Sequence, residues 1–226
     1  RPAWRRDSFS ADEASPKTSG REVVLLADTF NTYFEPENAR AALRVLEAAG
    51  YRVHLPSAAD GVRPLCCGRT FLAAGLVDEA KKEARRVLSA LKTFVERGVP
   101  VIGLEPSCLL TLRDEFKAML PGAETKSLAG AALLFEEFLA GEQAAGKLKL
   151  DLGPVSSTRA LLHGHCHQKA FAVMNAVETT LRLVPGLDVE TIQSGCCGMA
   201  GSFGFEKEHY EISMKIGETA NEIYQA

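Results

Sequence analysis

Two Cys-Cys-Gly triplets, at 66–68 and 196–198, follow two similar stretches of sequence in which strand-like and helix-like segments alternate. The triplets contain four of the six cysteines. Neighbouring cysteines cannot form a disulfide with each other without straining the peptide between them, whereas both thiolates can bind one inorganic centre. The repeated triplet therefore predicts a metal or iron-sulfur site built by two related halves of the chain.

The first half is predicted to run strand, helix, strand, helix, strand. Short apolar runs at 23–27, 51–55 and 99–104 indicate buried strands, and the first helix is expected at 37–49. The last strand leads to Cys108 at its carboxyl end. The helix after the first triplet is predicted to be amphipathic because its apolar residues recur at helical spacing; they are Val77, Ala80, Ala84, Val87, Leu88, Leu91 and Val95.

The second half repeats this order. Laying Val23 on Leu161 places Asp28 opposite Cys166, so the first half has an aspartate where the second half has a cysteine. The other predicted segments are strands at 160–163 and 189–192, helices at 170–183 and from 207, a connecting helix at 128–139 and a polar crossover at 141–154.

Alternating strands and helices predict an α/β fold with parallel sheets and helices on their faces. We expect two tandem Rossmann-like repeats related by a pseudo-two-fold axis. The arm or linker is predicted at 1–20, the first repeat at 21–122, and a connector with the second repeat at 123–226. Loops at the carboxyl ends of parallel strands build the sites of such folds. All six cysteines fall on such loops, so the two halves are expected to gather them in one place.

The two halves differ where they end. The first half has a third strand that leads to Cys108, whereas the second half stops at Ala226 inside or just after a helix. The repeat therefore predicts a further strand and a further cysteine beyond Ala226. The chain also starts without methionine, which predicts that it is a piece of a longer polypeptide.

Composition narrows the classes of function. A net charge of −3 over 226 residues, without long runs of like charge, predicts no nucleic-acid partner. The longest apolar stretches, such as 129–135, are too short to span a bilayer, so no transmembrane segment is expected. Six cysteines in a chain of this size indicate functional thiols in a reducing compartment, which predicts a cytoplasmic location.

The spacing of the cysteines carries a resemblance to a known family. Each triplet follows a first position by roughly thirty to forty residues, a further cysteine follows after a similar gap, and the pattern occurs in tandem. In this the chain resembles the cysteine-rich CCG domain of heterodisulfide reductase and of the iron-sulfur proteins that serve glycolate, lactate and glycerol-3-phosphate oxidation. Over 21–226 it looks most like the carboxyl-terminal region of bacterial FAD-linked oxidases. The strings that carry the likeness are Glu105-Pro106-Ser107-Cys108, His163-Gly164-His165-Cys166-His167-Gln168-Lys169 and Cys196-Cys197-Gly198-Met199-Ala200-Gly201-Ser202-Phe203-Gly204.

The resemblance implies an electron-transfer domain of an FAD-linked oxidoreductase that acts on a 2-hydroxy acid. It implies an iron-sulfur cluster, of the non-cubane 4Fe-4S type in the heterodisulfide reductase relatives, and it places FAD and a ferredoxin-like domain in other parts of the parent protein. This part would have no substrate site, and the parent enzyme would lie in the cytoplasm or peripherally on the inner membrane. The implied ligands are Cys66, Cys67, Cys108, Cys166, Cys196 and Cys197.

The implied ligand set is incomplete in the first half. Asp28 stands where the family has its first cysteine. Thr111 stands three residues after Cys108, where the closing Cys-x-x-Cys would end. The glycines that follow the second triplet allow the backbone to approach a cluster and to donate N–H groups to its sulfurs.

Three other interpretations stay open. A zinc site needs only four ligands, and the incomplete motifs favour it together with His165 and His167, which an extended segment would place on one face. A thiol-disulfide redox site would use paired cysteines directly. A metal-free docking domain would need none of them. The polar residues near the cysteine loops are predicted to be solvated or capping residues; they are Asp28, Glu105, Lys169 and Glu206.

Overall fold

The computed structural model describes residues 3–15, 19–58, 60–61, 63–201 and 203–225, with side chains as far as Glu218. The chain divides into two compact units, Arg1–Leu150 and Asp151–Ala226. We call them unit 1 and unit 2. Both units contain parallel strands connected by helices, which confirms the predicted α/β class.

Unit 1 is a parallel four-stranded sheet with helices between its strands. The strands are β1 (Arg21–Leu26), β2 (Tyr51–His54), β3 (Val101–Gly103) and β4 (Ala132–Leu134). The helices are α1 (Thr29–Tyr33), α2 (Pro36–Ala48), α3 (Arg69–Ala73), α4 (Val77–Glu96), α5 (Pro106–Arg113), α6 (Glu115–Met119), α7 (Ala123–Ala131) and α8 (Phe135–Ala144).

The order of the strands, β2-β1-β3-β4, decides where a site can form. Val23, Val24 and Leu25 of β1 are buried, and β1 pairs with β2 on one side and with β3 on the other. The chain moves from β1 outwards to β2 and then returns across β1 to β3. The carboxyl ends of β1 and β3 therefore flank the topological switch point, where open α/β sheets bind their ligands.

Helix α4 has the amphipathic pattern that the sequence predicted. Ala80, Ala84, Val87 and Leu91 are all buried against the unit. Val77, the first member of the predicted stripe, is 44% exposed, because it lies at the very start of the helix. The buried face also contains a charged residue, Glu83, whose carboxylate is paired with arginines.

The predicted connecting helix at 128–139 is wrong. Helix α7 ends at Ala131, β4 follows it, and α8 starts at Phe135. The run Ala132–Leu134 has no periodicity of its own, and it becomes a strand because it pairs in parallel with β3. The predicted crossover at 141–154 likewise begins inside α8, which continues to Ala144.

The amino-terminal stretch at 3–15 packs on the rest of unit 1. The amide of Arg5 donates to the Tyr33 carbonyl at 2.8 Å, and the Phe9 side chain is buried in the core beside β1. Arg40 binds Glu13 at 2.7 Å, which ties the end of this stretch to α2. The remaining predicted arm residues, at 1–2 and 16–18, lie outside the described residues, and 19–20 lead directly into β1.

Unit 2 contains two parallel strands, β5 (Arg159–Leu162) and β6 (Asp188–Thr191). Its helices are α9 (Cys166–Ala170), α10 (Met174–Leu181) and α11 (Tyr210–Gln225). The helix predicted at 170–183 is confirmed in part as α10, which begins only at Met174 because Ala172, with a φ of +55°, separates it from the short helix α9. A left-handed alanine ends a helix, and nothing in the sequence around Ala172 signals one.

The element order around the two triplets agrees between the units: strand, two helices, strand, Cys-Cys-Gly, helix. The sheets differ, because unit 1 has four strands and the described part of unit 2 has two. The pseudo-two-fold relation, the domain limits of the two repeats and the strand expected beyond Ala226 stay predictions.

Candidate functional site: the cysteine loops

The first triplet forms a tight loop between β2 and α3. Gly68 has a φ of +78°, and a Cβ placed on it would lie 3.1 Å from both the Cα and the carbonyl oxygen of Ala80. Only glycine fits this left-handed position so close to a helix backbone. The Gly68 amide points back at the sulfur of Cys66, with its nitrogen 3.4 Å from Sγ. The loop thus aims a backbone N–H at a cysteine sulfur.

Cys108 joins the first triplet from the end of β3. Its helix, α5, begins after Glu105, and the Glu105 carboxylate accepts a hydrogen bond from the Cys108 amide at 2.5 Å. Cys66 and Cys108 line one cleft with Cys67 and lie close enough to shift the pKa of its thiol. Unit 1 therefore brings together the three cysteines that the sequence predicted for it.

These three cysteines line a narrow cleft at the topological switch point. Asp28 and Glu105, from the ends of β1 and β3, line it with them. The free volume is about 30 Å³, which is room for a water molecule or two. Burial raises the pKa of Asp28, and the nearby Glu105 carboxylate raises it further. The cleft therefore combines thiols with two carboxyl groups, of which Asp28 loses solvation by burial.

The two positions that depart from the family pattern have structural roles. Asp28 caps α1, since its carboxylate accepts hydrogen bonds from the amides of Phe30 at 2.9 Å and Asn31 at 3.1 Å. Thr111 is fully buried, donates to the Ser107 carbonyl at 2.7 Å and accepts from Arg69 at 3.2 Å. The prediction that Asp28 and Glu105 are capping residues is confirmed.

The second triplet repeats the local geometry of the first. Gly198 has a φ of +84°, and its amide nitrogen lies 3.3 Å from the Cys196 sulfur. The Ser213 hydroxyl, on α11, donates to the Gly198 carbonyl at 2.7 Å. A Cβ on Gly198 would lie well under 3.0 Å from the Ser213 carbonyl oxygen. Each triplet therefore lies close against the backbone of a later helix, α4 in unit 1 and α11 in unit 2, at a glycine that no other residue can replace without strain.

Unit 2 also brings a third cysteine to its triplet. The Cys166 and Cys196 sulfurs are 3.8 Å apart, and Cys197, the next residue along the chain, helps to lower the pKa of Cys196. Cys166 and Cys197 are exposed, whereas the cysteines of unit 1 are partly buried. Each unit thus assembles its own set of three cysteines, and their gathering in one place stays a prediction.

The two candidate histidine ligands lie side by side, but the extended segment predicted for them is wrong. Helix α9 begins at Cys166, and His165 caps it by accepting a hydrogen bond from the His167 amide at 3.1 Å. The two rings stack with centroids 5.2 Å apart. Within the residues the structure describes, no three His, Cys, Asp or Glu side chains are arranged to hold a single metal ion.

Sequence reasoning missed the residues that hold the loops in place. Arg86 and Lys169 each bind main-chain carbonyls just before a triplet. Lys169 was predicted to be a solvated or capping residue, which is wrong. The sequence did contain one signal for the first loop. Glu83, the partner of Arg86, falls on the apolar face of α4 between Ala80 and Ala84, and a carboxylate in that position needs a charged partner.

The thiols of the two units are expected to differ in reactivity. The Gly198 amide, together with the neighbouring thiols, lowers the pKa of Cys196. The contact with Cys108 raises the pKa of Cys67 to about 12, and the contact with Cys67 raises that of Cys66. Because the thiolate is the nucleophile, metal-free protein at neutral pH should alkylate at Cys196 before Cys66 or Cys67. Mass spectrometry of iodoacetamide-treated protein over time measures this order, and the reverse order would contradict it.

Comparison with known proteins agrees with the family that the cysteine spacing resembles. The model of the cysteine-rich domain family CCG matches residues 27–113. One component of the anaerobic glycerol-3-phosphate dehydrogenase of Escherichia coli (strain K12) is 32% identical over 215 residues, which cover 95% of this chain and 51% of that protein. A D-2-hydroxyglutarate dehydrogenase of Pseudomonas putida (strain KT2440) is 32% identical over 91% of this chain and 19% of its own length.

The chain therefore spans about half the length of the first relative and a smaller share of the second. No helix among the described residues is long and apolar enough to cross a membrane. No solved structure matches the chain.

Lactate utilization protein A of Geobacillus kaustophilus (strain HTA426) is 30% identical over 190 residues, which cover 80% of this chain and 72% of that protein. With the family's triplets and third cysteines both in place, this chain belongs to the cysteine-rich CCG domain family.

Proposed function

We propose that this chain is the iron-sulfur-binding, electron-transfer domain of an FAD-linked oxidoreductase that acts on a 2-hydroxy acid. The observation that carries the proposal is the grouping of three cysteines in each unit, two from a Cys-Cys-Gly loop and one from a neighbouring loop. The relatives' names support the substrate class, since they include a D-2-hydroxyglutarate dehydrogenase and a lactate utilization protein.

The donors present fit an iron-sulfur cluster in their chemistry. Such clusters are bound by cysteine thiolates, and hydrogen bonds to their sulfurs help to set the reduction potential. Each triplet supplies two thiols and one N–H directed at sulfur. Residues that would hold the cluster are Cys66, Cys67 and Cys108 in unit 1 and Cys166, Cys196 and Cys197 in unit 2.

The chain's own residues would prepare this site in three ways. The loop after β2 and the start of α5, which follows β3, bring Cys67 and Cys108 to one cleft. The glycine amides stabilise charge on sulfur. Because the cleft of unit 1 is narrow, loading would require the thiols to turn away from one another. When bound, the cluster would accept and release single electrons.

We infer that the electrons come from a flavin in another part of the parent protein, with a ferredoxin-like domain as a further partner. We also propose that the cluster is of the non-cubane 4Fe-4S type, that the two units are Rossmann-like repeats with a pseudo-two-fold relation, and that the parent enzyme is cytoplasmic or peripheral to the inner membrane. The relatives that are several times longer than this chain support a multidomain parent.

Anaerobic reconstitution tests the cluster directly. We expect the wild-type chain to bind iron and sulfide in near-equal amounts, with broad visible absorption and an EPR signal in at least one oxidation state. Cys67→Ser and Cys196→Ser should each lose most of the iron of their own unit. Ser89→Ala, on the exposed face of α4, is the matched control and should bind as the wild type does. Zinc alone, or no metal in the wild type, would overturn the proposal.

A second candidate function is a thiol-disulfide redox site in unit 2. The Cys166 and Cys196 sulfurs, 3.8 Å apart, would have to approach to the disulfide length of about 2.05 Å. Bond formation would release two electrons and two protons to a disulfide oxidant such as oxidised glutathione. Mass spectrometry of metal-free protein in a glutathione redox series detects the linked peptides. Absence of the Cys166–Cys196 link at every potential would exclude this function.

A further inference from the structure

A largely buried arginine holds the chain just before the first triplet. The Arg86 guanidinium donates to two consecutive carbonyls, of Arg63 at 2.6 Å and of Pro64 at 3.2 Å. Pro64 lies two residues before Cys66. Since a proline and a carbonyl clamp restrict the same short segment, the direction in which the chain enters the triplet is set by α4, from which Arg86 projects.

Arg86 is itself held in place by carboxylates. Its guanidinium binds Asp60 at 2.8 and 3.1 Å and Glu83, one turn earlier on α4, at 2.8 Å. Glu83 is fully buried and also binds Arg63, so the loop at 60–68 is connected to the helix at three points. Charge-assisted hydrogen bonds of this kind fix geometry better than neutral ones.

A lysine makes the corresponding contacts in unit 2. The Lys169 ammonium donates to two consecutive carbonyls, of Ser194 at 2.7 Å and of Gly195 at 2.8 Å. Gly195 immediately precedes Cys196. Lys169 lies on α9, one turn after Cys166. Its contacts therefore connect the helix that carries Cys166 to the loop that carries Cys196 and Cys197.

We propose that Arg86 and Lys169 are positioning residues, each of which holds one Cys-Cys-Gly triplet by clamping the two main-chain carbonyls at its entrance. The two clamps use different residue types from different elements, so neither is explained by a need for helix stability alone. The clamps would act on the cysteines through the geometry of the loop. By holding the incoming chain, each clamp would keep the glycine amide of its triplet directed at the first cysteine sulfur. The inference deepens the proposed function, and only its metal readout rests on that function.

The test has two readouts, each compared between the variants and the wild type. The first is amide hydrogen exchange in the metal-free chain, and the second is the amount of iron bound after reconstitution. Lys169→Met should accelerate exchange roughly tenfold in peptides covering 194–198, and Arg86→Met should do so in those covering 63–68. Each variant should leave the exchange rate at the other triplet unchanged and should lower the amount of iron bound at its own triplet. Lys169→Arg should restore both readouts, and Arg86→Lys should restore the carbonyl contacts in part because it loses the paired contact with Asp60.

Matched controls separate positioning from general stability. Lys215→Met on α11 and Arg85→Met on α4 remove exposed cations from the same units and should change neither readout. Met variants with wild-type exchange at the triplets would overturn the proposal. It would also fail if the acceleration spread over the whole unit, or if Lys169→Arg behaved like Lys169→Met. If the wild type binds no iron, the proposed function fails while the exchange measurement still decides the positioning role.

Discussion

Replacing Gly198 with alanine is expected to destabilise unit 2 by about 3 kcal/mol and to disrupt the second cysteine loop. Two costs add at this position. A left-handed φ of +84° costs an L-residue roughly 1–2 kcal/mol. The new methyl group would also lie well under 3.0 Å from the Ser213 carbonyl oxygen, so either the loop or the backbone of α11 must move. Because the Gly198 amide also donates to Cys196, that hydrogen bond should be lost.

Denaturant unfolding and amide hydrogen exchange over 188–217 measure this effect. Gly201→Ala is the matched control. Gly201 has a φ of +71°, and a methyl group added there would meet nothing within 4 Å, so the variant should lose only the left-handed preference. Gly195→Ala has neither problem and should be close to neutral. The explanation fails if Gly198→Ala costs no more than Gly201→Ala.

Glu83→Gln is expected to destabilise unit 1 by about 3 kcal/mol, the lower end of the range for breaking a buried ion pair. The side chain of Glu83 is 0% exposed, and its two oxygens serve Arg63 and Arg86. Glutamine keeps the shape of the side chain but has one carboxylate oxygen fewer and no charge. The destabilisation should stay below the upper end of that range because Arg86 keeps its contacts with Asp60.

Urea unfolding followed by far-UV circular dichroism measures the change, and hydrogen exchange locates it. Glu79→Gln on the same helix is the control. Glu79 is half-exposed and pairs one turn away with the exposed Lys82, so its loss should cost less than about 0.5 kcal/mol. A Glu83→Gln chain as stable as the control variant would show that burial of this carboxylate brings no net stabilisation.

The parts of the fold that the sequence predicted well are those whose pattern is local. The apolar run of β1 and the helical stripe of α4 need no knowledge of their neighbours, and the structure has both. The wrong predictions share one cause. Ala132–Leu134 is a strand only because β3 lies beside it, and α10 begins later than predicted because Ala172 takes a left-handed conformation within the folded unit.

The cysteine loops show the same division. The sequence by itself determined that four cysteines lie in paired triplets, that each pair is followed by a glycine, and that all six cysteines follow strands. Only the tertiary structure decided that Cys67 and Cys108 line one cleft, that Cys166 lies beside Cys196, and that Arg86 and Lys169 bind the carbonyls of the loops. The physical reason is that spacing along the chain sets local conformation, whereas contact between distant residues depends on strand order and on the packing of buried charges.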